Sequence, residues 1–283
     1  MYTLKVENER GDQLELTHSN DYTVTNVEGL NPPKATINTA VVASFDGSRF
    51  NSSRMGERNL VLTIVIENEI ERNRLKLYQY FKPKKPCKLY YKNASRDVSI
   101  EGYVETFEVS LFDNRQMAQI SVICPDPFFQ ALTERTVDFR SVTPLFHFPF
   151  AAPDAGIPFA EQETNVSKVI INGGDVESGV LVTLHATGSV SNPVLYNVDT
   201  RESLGLTLTM QDGDTVTINT NKGQKSILLN RGGVTTNIIN RLVRGSSWFQ
   251  IASGENTFTY TVADDLTANL TVTFQHTDKY EGV

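Results

Sequence analysis

Apolar and polar positions along this chain alternate mostly at period two, and a helical period interrupts them once. LVLTIVIE at 60–67 is an almost unbroken aliphatic and β-branched run, the pattern of a buried strand. The next segment, NEIERNRLKLYQYF at 68–81, lacks Gly and Pro. Its Ile70, Arg74, Leu77, Tyr78 and Phe81 fall near helical spacing, which predicts one helix over 68–81, ended by Pro83 and Pro86. Strands are predicted at 87–92, 97–112 and 116–124, the last stopped by Pro125 and Pro127.

From VLVTLHATG at 180–188 onward the alternation sets apolar residues against threonine, in GLTLTMQDGDTVTINT, NTFTYTV and NLTVTFQH. Turn pairs such as Gly173-Gly174, Asp212-Gly213 and Gly232-Gly233 separate these runs, and short, evenly spaced strands of this kind predict a β-sandwich or jelly roll. Between the halves, SVTPLFHFPFAAPDAGIPFA at 141–160 carries four prolines and reads as an extended connector. Its phenylalanines are costly to leave in water, so it is expected to pack along a domain. The expected organisation is a β-rich domain with one helix at 1–140, a connector at 141–160 and a sandwich at 161–283, within the size that favours two cores over one.

Charge sharpens this division. The net charge is −7 over 283 residues, but the first 140 residues are near balance and dense in charge, whereas the remainder is sparse and acidic. An acidic chain has no general attraction for nucleic acid. The basic run KPKKPCKLYYK at 82–92 reads first as a solvated turn or an inter-subunit contact. The start of the sequence shows no secretory signal pattern, and no stretch approaches a membrane span. The two cysteines, Cys87 and Cys124, are expected on strands and reduced, with a single bridge left open.

Catalytic signatures are missing. There is no Gly-x-Ser-x-Gly and no phosphate-binding glycine motif, and the four histidines have no metal-ligand spacing. No catalytic residue, cofactor or metal is assigned. Asp212 and Asp214 read as a hairpin turn before a Ca²⁺ site, and Asp264-Asp265 as a solvated turn before half of a glycosidase pair. Trp248 reads as a core residue; exposed beside Tyr196 or Tyr260, it would instead stack on a sugar ring.

The order of these segments resembles the distal tail proteins of phages with long, non-contractile tails. The motifs are Ser-Arg-x-Gly-x-Arg at 53–58, Tyr-x-Tyr-Phe at 78–81, Leu-Tyr-Tyr at 89–91, Gly-Tyr-Val-Glu at 102–105, Ile-Ser-x-x-Cys-Pro-Asp-Pro-Phe-Phe at 120–129 and Tyr-x-Gly-Val at 280–283. In the second half the likeness rests on Asn172-Gly173-Gly174-Asp175, Asn192-Pro193, Gly213-Asp214, Ser247-Trp248-Phe249 and Gly254-Glu255-Asn256.

The resemblance implies a fold that is mainly β with one helix: an α+β N-terminal domain and a C-terminal galectin-like or jelly-roll sandwich. It implies a non-enzymatic protein of the virion tail tip, made in the bacterial host cytoplasm and encoded by a phage or prophage. Six copies, or two stacked rings of six, would join the tail-tube protein to the tail-tip hub, dock receptor-binding proteins for host adsorption, and let DNA pass without specific binding. Ring contacts of this type use aromatic and Arg anchors, so Phe50, Arg54, Arg58, Lys84, Lys85, Tyr90 and Tyr91 are the inter-subunit candidates. The alternative is a glycan-binding adhesin acting through Trp248, Tyr196 and Tyr260.

Overall fold

The computed structural model of the chain describes residues 2–41, 43, 46–144, 160–164, 167–263 and 267–283. Phe45, Asp264, Asp265 and most of the Pro/Phe-rich connector lie outside the described residues. The chain divides into two compact units. The first runs to Leu132 and includes Lys279–Val283; the second is Thr133–Asp278. The first boundary thus falls at 132/133 where the sequence reading set 140, and the last residues return to the first unit.

In the first unit, β1 (Thr3–Glu7), β2 (Gln13–Glu15), β3 (Tyr22–Glu28), β4 (Ala35–Val41), β5 (Ser48–Met55) and β6 (Arg58–Ile66) precede the helix α1 (Ile70–Tyr80). β7 (Pro86–Lys92), β8 (Asp97–Val109), β9 (Met117–Cys124) and β10 (Phe129–Asp138) follow, the last crossing into the second unit. Seven strands pair antiparallel in the order β2-β1-β7-β8-β9-β6-β3. Period-two patterning builds the core: Leu60, Leu62 and Ile64 of β6 point inward with Val98, Ile100 and Val104 of β8 and Ala118, Ile120 and Val122 of β9.

The helix lies within the segment read from the sequence. Glu69 begins it in the left-handed region (φ 40°) without a side-chain cap. It contributes a narrow stripe, with Leu77 and Asn73 buried and Phe81 closing the end. The Tyr22 hydroxyl donates to the Asn73 carbonyl at 3.0 Å, and burial pushes that phenol up to about 12.

Cys87 and Cys124 are buried and unbridged. They sit on β7 and β9, on either side of β8, so their Cα atoms are about 9–10 Å apart by strand spacing, beyond disulfide reach. Gly102 of β8 lies opposite Cys87, and a Cβ there would stand 2.8 Å from Cys124 Sγ and 2.6 Å from Val122 Cγ1. Burial raises both thiols to about 12, so they act as small apolar groups.

In the second unit, β11 (Arg140–Pro144) pairs with β12 (Ala160–Thr164), so the described ends of the connector are extended backbone. The other strands are β13 (Ser167–Asn172), β14 (Leu181–Ala186), β15 (Val190–Asn197), β16 (Glu202–Gly205), β17 (Thr209–Met210), β18 (Thr215–Asn219), β19 (Ser226–Arg231), β20 (Val234–Asn237), β21 (Gly254–Ala263) and β22 (Leu270–Tyr280). They form two antiparallel sheets, one ordered β10-β22-β14-β18-β19-β20 and one β13-β21-β15-β16 with β17 on β15. Their inner faces share one core, where Phe274 of β22 meets Phe258 of β21 at 4.9 Å between ring centroids, and Phe249 and Phe139 extend the cluster. This is the sandwich that the Thr-rich alternation predicts.

Candidate assembly surface

β4 and β5 pair with each other and, among the described residues, with no other strand. The register runs from Ala35 opposite Met55 to Val41 opposite Ser48, with a bulge beyond Asn38. Partners across an antiparallel ladder share a face and neighbours along a strand alternate. Ile37, Thr39 and Val41 therefore share one face with Phe50, the partner of Thr39, while Arg49 and Arg54 stand on the other. The apolar face is open: Ile37 is 57% exposed, Phe50 58% and Val41 86%. A lone two-stranded ribbon is marginal in water, and exposed apolar side chains gathered on one face are costly to leave there. Burying each of these side chains is worth about 1–2 kcal/mol.

More exposed apolar groups lie elsewhere on the unit. Leu75 and Tyr78 of α1 face solvent, with Tyr78 edge-on to Phe107 at 4.9 Å. Between β8 and β9, Leu111 is exposed and Phe112 is 99% exposed. Of these surfaces the sequence candidates touch only the β5 side of the ribbon, through Phe50 and Arg54; Ile37 and Val41 of β4, Leu75 and Tyr78 of α1 and the Leu111-Phe112 tip are not among them. The ATINTAV alternation at 35–41 was the available signal for the ribbon.

The sequence candidates separate clearly. Phe50 and Arg54 stand exposed on the ribbon. Lys84 and Lys85 are exposed in the turn after the helix, where Lys84 takes φ 67° and Lys85 Nζ lies 3.1 Å from Glu9. Tyr90 and Tyr91 are half-buried. The Tyr90 hydroxyl donates to Glu7 Oε2 at 2.8 Å, and Tyr91 stacks on Tyr2 with centroids 5.9 Å apart.

Arg58 is not a surface anchor. It is 2% exposed, with Nε donating to Pro127 O at 2.6 Å, Nη1 to Asn31 O at 2.8 Å and to Gly29 O, and Nη2 to Glu281 O at 2.5 Å. The guanidinium also covers the Phe129 ring at 4.6 Å. Its partners among the described residues are carbonyls, and burial lowers its proton affinity.

The three aromatic residues read as a sugar platform are not equivalent. Tyr260 is buried, its hydroxyl donating to Leu270 O at 3.3 Å, so it cannot stack on a ligand. Trp248 packs partly against the sandwich core with Lys225 Nζ 5.6 Å from its ring. Only Tyr196 stands open, 37% exposed on the outer face of β15.

The carboxylate of Asp214 is buried and held by Arg231 Nη2 at 2.5 Å and by the Gln211 amide at 2.7 Å. Arg231 keeps that carboxyl below its ordinary range, so it serves the turn and not acid catalysis. Among the described residues no three His, Cys, Asp or Glu side chains converge to hold a metal. Among them, too, no helix is long and apolar enough to cross a membrane.

Comparison with known proteins bears on both units. Residues 9–124 match the phage tail protein RIFT-related domain, and residues 173–280 match the C-terminal domain of the siphovirus-type tail component. The whole chain is similar to the Dit protein of phage SPP1, described as a paradigm of the hub adsorption apparatus of phages that infect Gram-positive bacteria. That match has a TM-score of 0.70, 14% identity and 99% coverage of both chains. A chain of the phage P2 baseplate in its activated conformation with Ca matches at TM-score 0.54 and 9% identity, with both chains covered in full. The same baseplate with Sr matches at TM-score 0.55 and 10% identity, again over both full chains. No curated protein matches.

Proposed function

We propose that this chain, which belongs to the Dit-like family of phage distal tail proteins, closes into a six-fold ring that joins the tail tube to the tail-tip hub. In this reading the first unit makes the ring and the second is an outward docking module for receptor-binding proteins. Two such rings stacked would be the dodecameric form, and DNA would pass the opening without specific binding. The protein is a structural part of the virion tail and catalyses no reaction.

The observation that carries the reading is the β4–β5 ribbon, whose apolar face of Ile37, Val41 and Phe50 lies in water in the single chain. A second copy is a suitable cover, because a heterologous contact repeated by rotation closes a ring. The exposed Leu75, Tyr78 and Phe112 of the neighbouring first unit supply apolar surface for it. The adhesin alternative has lost Tyr260 to the core and is left with Tyr196, open on β15, and the partly buried Trp248.

Light scattering behind a sizing column, with negative-stain images of the main peak, tests the assembly. The parent chain is expected as a ring with an open centre. Phe50→Asp should run as a monomer, because the new charge would be buried at the contact. Its melting temperature should stay near the parent monomer's, since a surface change away from packed groups is worth within about 0.5 kcal/mol. A parent chain that stays monomeric over a hundredfold concentration range, with tail-tube protein present, would sink the reading.

A further inference from the structure

We infer that Arg58 and residues 281–283 form a clasp that fixes the direction of the β4–β5 ribbon, and so act as positioning residues for ring closure. This rests on the ring reading above.

The clasp grips both roots of the ribbon. The incoming root is Gly29–Lys34, between β3 and β4; the outgoing root is Gly56-Glu57, followed at once by Arg58. Arg58 therefore stands at the base of one root and donates to Gly29 O and Asn31 O of the other. Its Nη2 donates to Glu281 O at 2.5 Å. Two residues on, the Val283 amide donates to Leu30 O at 3.2 Å. Between them Gly282 lies against the root so closely that a Cβ would stand 2.9 Å from Pro32 Cδ and 3.2 Å from Leu30 O.

Neighbouring contacts also hold the 279–283 segment. Lys279 Nζ reaches Asp126 at 2.9 Å, and Arg96 covers the Tyr280 ring at 4.1 Å. Asp126 belongs to the same Pro-Asp-Pro-Phe-Phe turn whose Pro127 carbonyl and Phe129 ring receive Arg58. Three chain segments, 29–31, 127–129 and the one holding Glu281, thus meet at one buried guanidinium.

Direction matters because the ribbon is long. Seven or eight residues of strand project about 25 Å, so a tilt of about 10° at the root moves the tip by about 4 Å. That is comparable to the spacing between strands, and a closed six-fold contact cannot absorb it at every interface.

The test uses the full chain carrying spin labels at Asn38→Cys on the ribbon and Glu71→Cys on α1, diluted in unlabelled protein so that only distances within one chain are read. Cys87 and Cys124 are buried and should not label. The parent should give one narrow distance distribution. A chain ending at Tyr280, and separately Gly282→Ala, should give a broadened or shifted distribution by several ångströms. In parallel, the unlabelled variants should lose the ring in light scattering while their circular dichroism spectra stay native. Should the shortened chain fail to fold, the Gly282→Ala distances decide. Unchanged distances in a folded variant would overturn the clasp, whether or not rings form. If the parent forms no ring, the ring reading fails, and the distances still report whether the root is held.

Discussion

At the residue scale, the burial of His276 makes a measurable property. Its side chain is fully buried in the second unit, and among the described residues neither ring nitrogen makes a well-aligned hydrogen bond. Nε2 lies 3.4 Å from Asp278 Oδ1, and Asp278 also takes Arg135 Nε at 2.8 Å and the Gly173 amide at 3.1 Å. Burial lowers the His276 pKa below its ordinary 6.5, against the pull of Asp278 and the Ile171 backbone, and Arg135 pushes the same way as burial.

The folded state therefore prefers neutral His276, and the unfolded chain binds more protons below about pH 6.5. His276 stability is complete above that value and is lost as pH falls towards the lowered folded value. The lowered carboxyls of Glu7 and Asp214 act below 4.5 and 3.8, so a loss of melting temperature between about pH 6.5 and 5 is assigned to His276. Thermal melts from pH 8 to 5 should show that loss, and His276→Asn should flatten it. An equal slope in the variant would assign the loss elsewhere.

Gly102 is a second residue-scale case. The Gly-Tyr-Val-Glu motif was visible in the sequence, but its need for glycine was not. That need comes from Cys124, Val122 and the Ile123 carbonyl on the neighbouring strand. Gly102→Ala should destabilise by about 1–3 kcal/mol, as overpacking does, read from the urea midpoint.

At the element scale, burial decided what could be read. The helix was legible because Leu77 and Phe81 face the core at helical spacing, and β6, β8 and β9 because their alternate residues do. The ribbon was missed because alternation is read as a strand with one face in its own core. Here the apolar face of Ile37, Val41 and Phe50 belongs to neither core formed by the described residues. The same distinction explains the mixed outcome for the contact candidates. Aromatic and Arg content selects residues that seek burial, and it cannot separate Phe50, open on the ribbon, from Arg58, closed among carbonyls. Tyr260 and Tyr196 are an equivalent pair in the sandwich: both lie on strands of one sheet, and pleat parity sends one inward and the other outward.

At the scale of the whole molecule, the chain does not divide into two consecutive pieces. The sequence reading placed the cut after 140 because the proline-rich connector marks a change in composition. Pattern cannot show that 279–283 return to the first unit, since the pairing is with residues more than a hundred positions earlier. A fragment 1–140 would thus lack the Glu281 carbonyl that Arg58 uses and the Lys279 partner of Asp126. A hydrogen bond to a charged group contributes about 1.5–3 kcal/mol, and a unit of this size loses roughly 3–5 °C of melting temperature per kcal/mol. A chain in which 1–132 is joined to 279–283 by a short Gly/Ser linker should therefore melt at least about 5 °C above fragment 1–140. Equal melting temperatures would mean that the tail lies on the first unit without stabilising it. The tail's stabilising role would then be lost, while the ring reading, which stands on the ribbon, would not.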